Sequence, residues 1–254
     1  MTTLYLTSTG NSLHVAQTIG GECLSIPQLA KEGRYEISDD AIGIVSPCWF
    51  WGIPDPVRDY IRNASFKADY IFFVVTYGMI QASILKDAEE LFADKGVKLD
   101  YTASLKMVDN WLPNFKMEDQ IAGAPGKKID ENLARIASDI QARRQQKENV
   151  GVGLRLIGAI GKPLGRLQKD PKVATTYTTN ADCNGCGTCS RVCPVGNVTM
   201  DGKHPVFGEN CIRCEACLHM CPKNALHLPA EKSSARFRNE HVSLKDIIDA
   251  NCQI

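Results

Sequence analysis

The sequence predicts an α/β protein in two parts: a doubly wound parallel sheet, then a smaller cysteine-rich unit. Three observations predict it. Over the first 148 residues, short apolar runs alternate with amphipathic segments of helical spacing. The loops that follow those runs are rich in Ser, Thr, Gly and aromatic residues. Further on, eight of the eleven cysteines of this 254-residue chain fall between positions 183 and 221.

The elements follow in order. Residues 3–7 form a short apolar strand, and residues 12–19 a helix with Leu13, Ala16 and Ile19 on one face. Residues 22–26 give a weak second strand and residues 42–45 a clear third. Val57, Tyr60 and Ile61 mark a short helix after the prolines. Residues 70–75 are a near-continuous β-branched and aromatic run. Residues 81–95 are helical through Ile84, Leu85, Ala88, Leu91 and Phe92. Residues 99–108 form the last strand region, and residues 127–147 a long helix through Ile129, Leu133, Ile136 and Ile140. Strands that are apolar throughout, with helices between them, imply a parallel sheet of five strands covered on both faces.

Bulk properties exclude several classes. The net charge is zero, with 44% hydrophobic and 23% charged residues. Residues 1–125 hold 16 acidic and 10 basic side chains, while residues 151–175 hold one acidic and five basic. No segment outside residues 151–175 has the strong basic face of a nucleic-acid binder. The longest apolar run, Ile71-Phe72-Phe73-Val74-Val75, suits a buried strand and not a membrane span. The start lacks a basic n-region. A cytoplasmic location is therefore expected, with the cysteines reduced and free to act as ligands.

The cysteines come in two copies of one pattern. Cys183, Cys186, Cys189 and Cys193 stand at C-x2-C-x2-C-x3-C with Pro194 following. Cys211, Cys214, Cys217 and Cys221 repeat the spacing with Pro222 following. Zinc sites usually use two separated pairs, whereas three close thiolates with a fourth before proline suit a cubane. In bacterial runs of this spacing the fourth cysteine ligates the other cluster. That rule assigns Cys183, Cys186, Cys189 and Cys221 to one [4Fe-4S] cluster, and Cys211, Cys214, Cys217 and Cys193 to a second. Gly185 and Gly187 leave room for backbone N–H groups to point at sulfur. This stretch resembles the bacterial two-cluster ferredoxins, although residues 176–230 carry four acidic and four basic side chains, without the usual acidic excess. Positive charge near a cluster favours its reduced form.

After the first strand comes Thr7-Ser8-Thr9-Gly10-Asn11-Ser12, then a helix. A phosphate belongs at such a helix N-terminus, beyond the carboxyl end of a strand. The loop has no lysine or arginine, so it is not a P-loop. It fits the flavodoxin loop that holds FMN phosphate with neutral groups; the alternative is simple helix capping by Ser, Thr and Asn. Two further strand-end loops join it. Pro47-Cys48-Trp49-Phe50-Trp51-Gly52 follows the third strand, and Thr76-Tyr77-Gly78 the fourth. Trp49, Phe50, Trp51 and Tyr77 offer flat apolar surfaces for an isoalloxazine, and Gly52 and Gly78 close backbone approach.

These parts, with Asp109-Asn110-Trp111 after the last strand, resemble flavodoxin–ferredoxin fusion proteins, the EFR-type ferredoxins of anaerobic bacteria and archaea. The resemblance implies a flavodoxin-like sheet of order 2-1-3-4-5 and an α+β two-[4Fe-4S] ferredoxin-like domain. It also implies FMN, two clusters and an electron-transfer role with redox partner proteins. The expected division is a flavin unit at 1–148, a basic amphipathic linker at 149–175, the cluster unit at 176–230 and a C-terminal tail at 231–254. The alternative function is an FMN-dependent reductase of a small acceptor, a quinone or nitro compound, fed by its own clusters. A non-redox interaction module is the third.

In the linker, Leu154, Ile157, Ile160, Leu164 and Leu167 make an apolar stripe, and Arg155, Lys162, Arg166 and Lys169 a basic one. The readings are interdomain packing, a docking face for an acidic protein and, least favoured, peripheral membrane contact through residues 151–169. A homodimer is also compatible with the sequence. Cys23 and Cys252 read as packing or surface thiols. Cys48 reads as a small apolar residue, with a redox role as its alternative. His204 and His219 lie near the cysteines and could tune a potential.

Overall fold

A computed structural model describes residues 1–254, apart from the side chains of Arg166 and Gln168. The predicted alternation is present. In chain order, β1 (Thr2–Tyr5), α1 (Asn11–Ile19), β2 (Glu22–Ser25) and α2 (Ile26–Lys31) come first. They are followed by β3 (Ala41–Pro47), α3 (Asp55–Asn63), β4 (Tyr70–Tyr77), α4 (Ile84–Ala93) and β5 (Tyr101–Lys106). Then come α5 (Met117–Ala122), α6 (Ile129–Gln141) and β6 (Gln146–Lys147).

The sheet runs β2-β1-β3-β4-β5-β6, and its neighbours pair in parallel. The five expected strands lie in the expected order, but the count is six. The chain leaving α6 crosses back to the sheet edge, pairing Gln146 with Tyr101 and Lys147 with Thr102. Two residues are too few to register as an apolar run, and both are exposed. A separate parallel pair joins Glu36–Ser38 to Ser65–Lys67.

The central strands explain why the sheet is buried on both sides. Along β4, Tyr70, Phe72 and Val74 pack into one core, while Ile71, Phe73 and Val75 pack into the other. Gly43 on β3 lets the Phe72 ring lie across it, since a Cβ there would come within 1.9 Å of the ring.

The second unit is small. A 17-residue helix, α7 (Val152–Gln168), leads to β7 (Thr178–Thr179) and α8 (Thr188–Arg191). The hairpin β8 (Val198–Asp201) and β9 (His204–Phe207) follows, then α9 (Ala216–His219) and β10 (Leu226–His227), which pairs with β7. Each four-residue helix sits inside one of the cysteine runs. The closing helix is α10 (Leu244–Asn251), started by a capping box between Ser243 and Asp246.

The two parts share a core. Val192, Ala216 and Met220 from the cysteine runs pack with Leu13 and Ala16 of α1 and Ile136 of α6. Val242, Ile247 and Ala250 enter the same cluster. Residues 231–254 are thus woven into the first unit. Ser25 donates to the carbonyl of Ala250, and Gln28 Nε2 to that of Cys252 at 2.9 Å. No described helix is long and apolar enough to cross a membrane.

The linker helix reverses the expected packing. Its inward face is glycine. A Cβ on Gly158 or Gly165 would collide with Ser83 or Phe50, and one on Gly161 would stand only 3.0 Å from the Trp51 ring. Of the expected apolar stripe only Leu154 joins a core, and Ile157, Ile160, Leu164 and Leu167 are exposed. Lys162 and Lys169 of the basic stripe turn inward to Asp87 at 2.6 Å and Asp55 at 2.9 Å. The side chain of Arg166 lies outside the described residues.

Candidate functional site

The carboxyl ends of β1, β3, β4 and β5 open into one cavity of about 1020 Å³, its mouth included. Twelve of the fourteen residues expected to touch a flavin line it: Thr7, Ser8, Thr9, Asn11, Ser12, Pro47, Trp49, Phe50, Trp51, Thr76, Tyr77 and Gly78. Gly10 and Gly52 are not among the lining residues. At Gly10, with φ +99°, the missing Cβ leaves space for Asn239 and Val242, each 3.0 Å from where it would stand. The missing Cβ of Gly52 faces Arg58 and Lys162.

The Thr7 loop is held from several sides. The Gly10 N–H donates to Thr7 Oγ1 at 3.1 Å, and Ser12 Oγ meets Thr76 Oγ1 at 2.9 Å. Asn251 Nδ2 donates to the Thr7 carbonyl at 3.0 Å, and the Asn239 N–H to the Thr9 carbonyl at 2.8 Å. The C-terminal segment thus braces the loop from outside. The sequence pattern does not reveal this, because residues 231–254 show no strand or loop signature that links them to residue 7.

The aromatic wall is a two-residue hairpin. Trp49 and Gly52 exchange backbone hydrogen bonds of 3.1 and 3.0 Å, and the turn residues Phe50 and Trp51 have φ of 51° and 60°. Two bulky residues in the left-handed region are strained, a condition that persists only when the surroundings over-determine it. Here α7 lies against the hairpin with its glycine face.

The opposite wall was only partly anticipated. Asp109, Asn110 and Trp111 line the cavity, as do Asn114 and Phe115 from the same connection. Gly78 must be glycine, since a Cβ would stand 2.1 Å from a carboxylate oxygen of Asp109. Burial raises the Asp109 carboxyl above its ordinary range. The Trp111 ring meets Phe50 edge-on at 5.7 Å.

The second cysteine run completes the site: Arg213, Cys214 and Glu215 also line the cavity. The Arg213 guanidinium lies 5.7 Å from the Phe50 ring centre and 5.9 Å from that of Trp111. Glu215 is 4% exposed. Its Oε2 accepts from the Leu112 N–H at 2.9 Å, while Oε1 has no partner. Burial pushes its carboxyl up to about 8. Trp111 Nε1 is a second buried polar atom without a partner.

The cysteines sort into two neighbourhoods that cross the repeat. Burial pushes the Cys189 thiol up to about 11, and the nearby Cys186 and Cys221 add to the push. Cys214 is driven well above the ordinary thiol value by burial, then by Cys193 and Cys211. Cys217 is driven up by burial, then by Cys214, Cys193 and Cys211, with Cys189 the weakest influence. Backbone N–H groups reach several sulfurs: Asn197 to Cys193 at 3.2 Å, Arg213 to Cys211 at 3.3 Å and Ala225 to Cys221 at 3.3 Å. Near the cysteines, His219 is buried, with Nε2 2.7 Å from the Asn110 carbonyl. Burial pushes the half-buried Cys48 thiol up to about 12, away from the reactive thiolate form.

A family model described as a 4Fe-4S dicluster domain matches residues 173–226. No curated protein matches the chain. Among solved structures, the flavodiiron core of Flv1 from Synechocystis is similar at 16% identity and TM-score 0.33, over 55% of this chain and 36% of its own. A flavone reductase is similar at 14% identity and TM-score 0.32, over 61% of this chain and 69% of its own. Rubredoxin oxygen:oxidoreductase from Desulfovibrio gigas stands at 16% and 0.30, over 56% and 36%. The chain spans about a third of the length of the first and last of these. The matched C-terminal region is an iron–sulfur dicluster domain, which places the protein in redox chemistry.

Proposed function

We propose that the protein is an electron-transfer flavo-iron–sulfur protein with FMN in the strand-end cavity and two [4Fe-4S] clusters in the cysteine runs. One observation carries the reading. A residue of the second run, Cys214, lines the same cavity as the Thr7 loop and the Trp49-Phe50-Trp51 hairpin. A flavin there would lie against the cluster unit within one chain.

The residues fit the groups. The Thr7 loop opens α1 without a cation, as a neutral phosphate cradle does. The aromatic hairpin and Trp111 supply flat apolar walls. Trp111 Nε1 and Glu215 Oε1 are buried polar atoms that still need a partner, and a flavin ring edge offers both donors and acceptors. Burial and neighbouring thiols raise Cys189, Cys214 and Cys217 above the ordinary thiol value, and a bound cluster would hold them as thiolates. The crossed neighbourhoods support Cys193 as the fourth ligand beside Cys211, Cys214 and Cys217, with Cys221 joining Cys183, Cys186 and Cys189.

FMN, when bound, supplies exchange between two-electron and one-electron chemistry, and each cluster a one-electron step. The chain's own residues then have distinct tasks. Phe50, Trp111 and Arg213 close the joint between the two units. Cys214 brings the second site to the cavity wall. Cys186, the exposed ligand, brings the first site to the surface where a redox partner protein can reach it. Anaerobic purification with iron and flavin quantitation tests this. About eight irons and one FMN per chain are expected; fewer than about four irons after reconstitution, or no flavin, overturns it.

A further inference from the structure

In an ordinary globular helix the large apolar residues turn inward and the small or polar ones outward. The helix α7 does the reverse. Gly158, Gly161 and Gly165 are buried against Ser83, Trp51 and Phe50. Val152, Leu156, Ile160, Leu164 and Leu167 are 73, 61, 66, 50 and 83% exposed. Exposed apolar side chains usually occur singly; here five follow one another at intervals of four, four, four and three along one helix.

The shape of the face decides between occupants. At 100° per residue these five side chains, with Ile157 and Pro163, cover an arc of about 140°. A seam for a second helix is narrower, confined to two positions per heptad. A broad, shallow apolar face suits a phase boundary. The charge pattern agrees. Between Glu148 and Asp170 there is no acidic residue, against four basic ones. Lys162 and Lys169 neutralise Asp87 and Asp55 of the body on the inner flank, and Arg155 is exposed beside the apolar arc. Nothing on the helix repels an anionic surface. It does not span a membrane: it is 17 residues long and interrupted by Pro163.

We infer that α7 is an interfacial anchor that lays this face on the surface of an anionic lipid bilayer. The anchor rests directly on the Phe50–Trp51 turn that walls the strand-end cavity. Docking therefore holds that wall one helix thickness from the lipid. The inference stands on α7 alone and does not depend on which cofactor fills the cavity.

The test is vesicle flotation of the anaerobically prepared full-length protein. Phosphatidylcholine vesicles are compared with phosphatidylcholine/phosphatidylglycerol vesicles. The protein is expected to float with the second, and more weakly with the first. The triple variant L156S/I160S/L164S should lose at least about tenfold in vesicle binding while keeping its iron content and visible spectrum. All three side chains point to solvent, so the fold should survive. R155E should weaken binding to the anionic vesicles more than to the neutral ones. Failure of the wild-type protein to float overturns the inference. So does a wild-type dimer that the triple variant turns monomeric without any vesicle binding, because a second copy then occupies the face. Equal flotation of wild type and triple variant overturns it as well.

Discussion

The two cysteine runs have the same spacing and different loops. In the first, the two left-handed positions between ligands are glycines, Gly185 at φ 71° and Gly187 at 69°. In the second they are Arg213 at 55° and Glu215 at 59°. The backbone is thus dictated by the turn around the ligands and is nearly the same in both. The first run meets that demand with the residue that adopts it freely. The second accepts about 1–2 kcal/mol of strain at each position. What the second gains is visible in its surroundings: Arg213 lies over Phe50 and Trp111, and Glu215 holds the Leu112 N–H. A repeated motif has kept its ligands and given one copy the task of joining the rest of the molecule.

The largest effect should come from the ligands that cross between the runs. Cys193→Ser should remove the cluster held by Cys211, Cys214 and Cys217, and Cys221→Ser the other. Each should halve the iron content, and electron paramagnetic resonance of the reduced variants should show which signal survives. Loss of the first cluster in Cys193→Ser would break the crossed assignment.

Next is conversion of one loop into the other. The double variant R213G/E215G gives the second run the first run's residues. It should keep both clusters, yet weaken flavin retention by about tenfold, through loss of the cation–π and hydrogen-bonded contacts. Flavin release followed by fluorescence measures this. The single change Glu215→Ala keeps the strain and strands the buried Leu112 N–H, which costs about 1–3 kcal/mol of stability. The reverse change, Gly187→Ala, should cost about 1 kcal/mol with flavin retention unaltered; chemical denaturation of the holoprotein separates the two.

The smallest effect concerns the C-terminal brace, which contacts α8 of the first run. Ser243→Ala should cost about 1 kcal/mol by removing the cap of α10. The Asp246 carboxyl is held below its ordinary range by the Ser243 hydroxyl and N–H. Its stabilising share is therefore present above the unfolded carboxylate value and is lost as pH falls through the lower folded value. A melting series through the acid range should show a weaker acid dependence in Asp246→Asn than in the parent.

Much of the site was legible because it depends on local rules. Parallel strands deliver their following loops to one edge, so the Thr7, Trp49 and Thr76 loops could be placed together from sequence alone. The cysteine spacing carried its own chemistry. What could not be read needed tertiary information. Arg213 and Glu215 look like loop residues until the second unit docks. A signal was present, since they stand where the first run has glycine. The C-terminal brace on Thr7 joins positions more than 200 residues apart, with only Ser243 and Asp246 to mark a helix start. The sixth strand is two exposed residues placed by the return of α6. The linker helix has an evident apolar periodicity, but periodicity does not say which face turns inward, and its glycines decided that.

If one chain carries the flavin and a cluster on two sides of the same wall, electrons should pass between them without a second molecule. The most direct measurement is the rate at which electrons redistribute between flavin and cluster absorbance after a reducing flash, followed across a range of protein concentrations under anaerobic conditions. A rate independent of protein concentration, lost in Cys193→Ser and kept in Cys221→Ser, is the predicted result. A rate that rises in proportion to protein concentration would contradict it, because the electrons would then be passing between molecules.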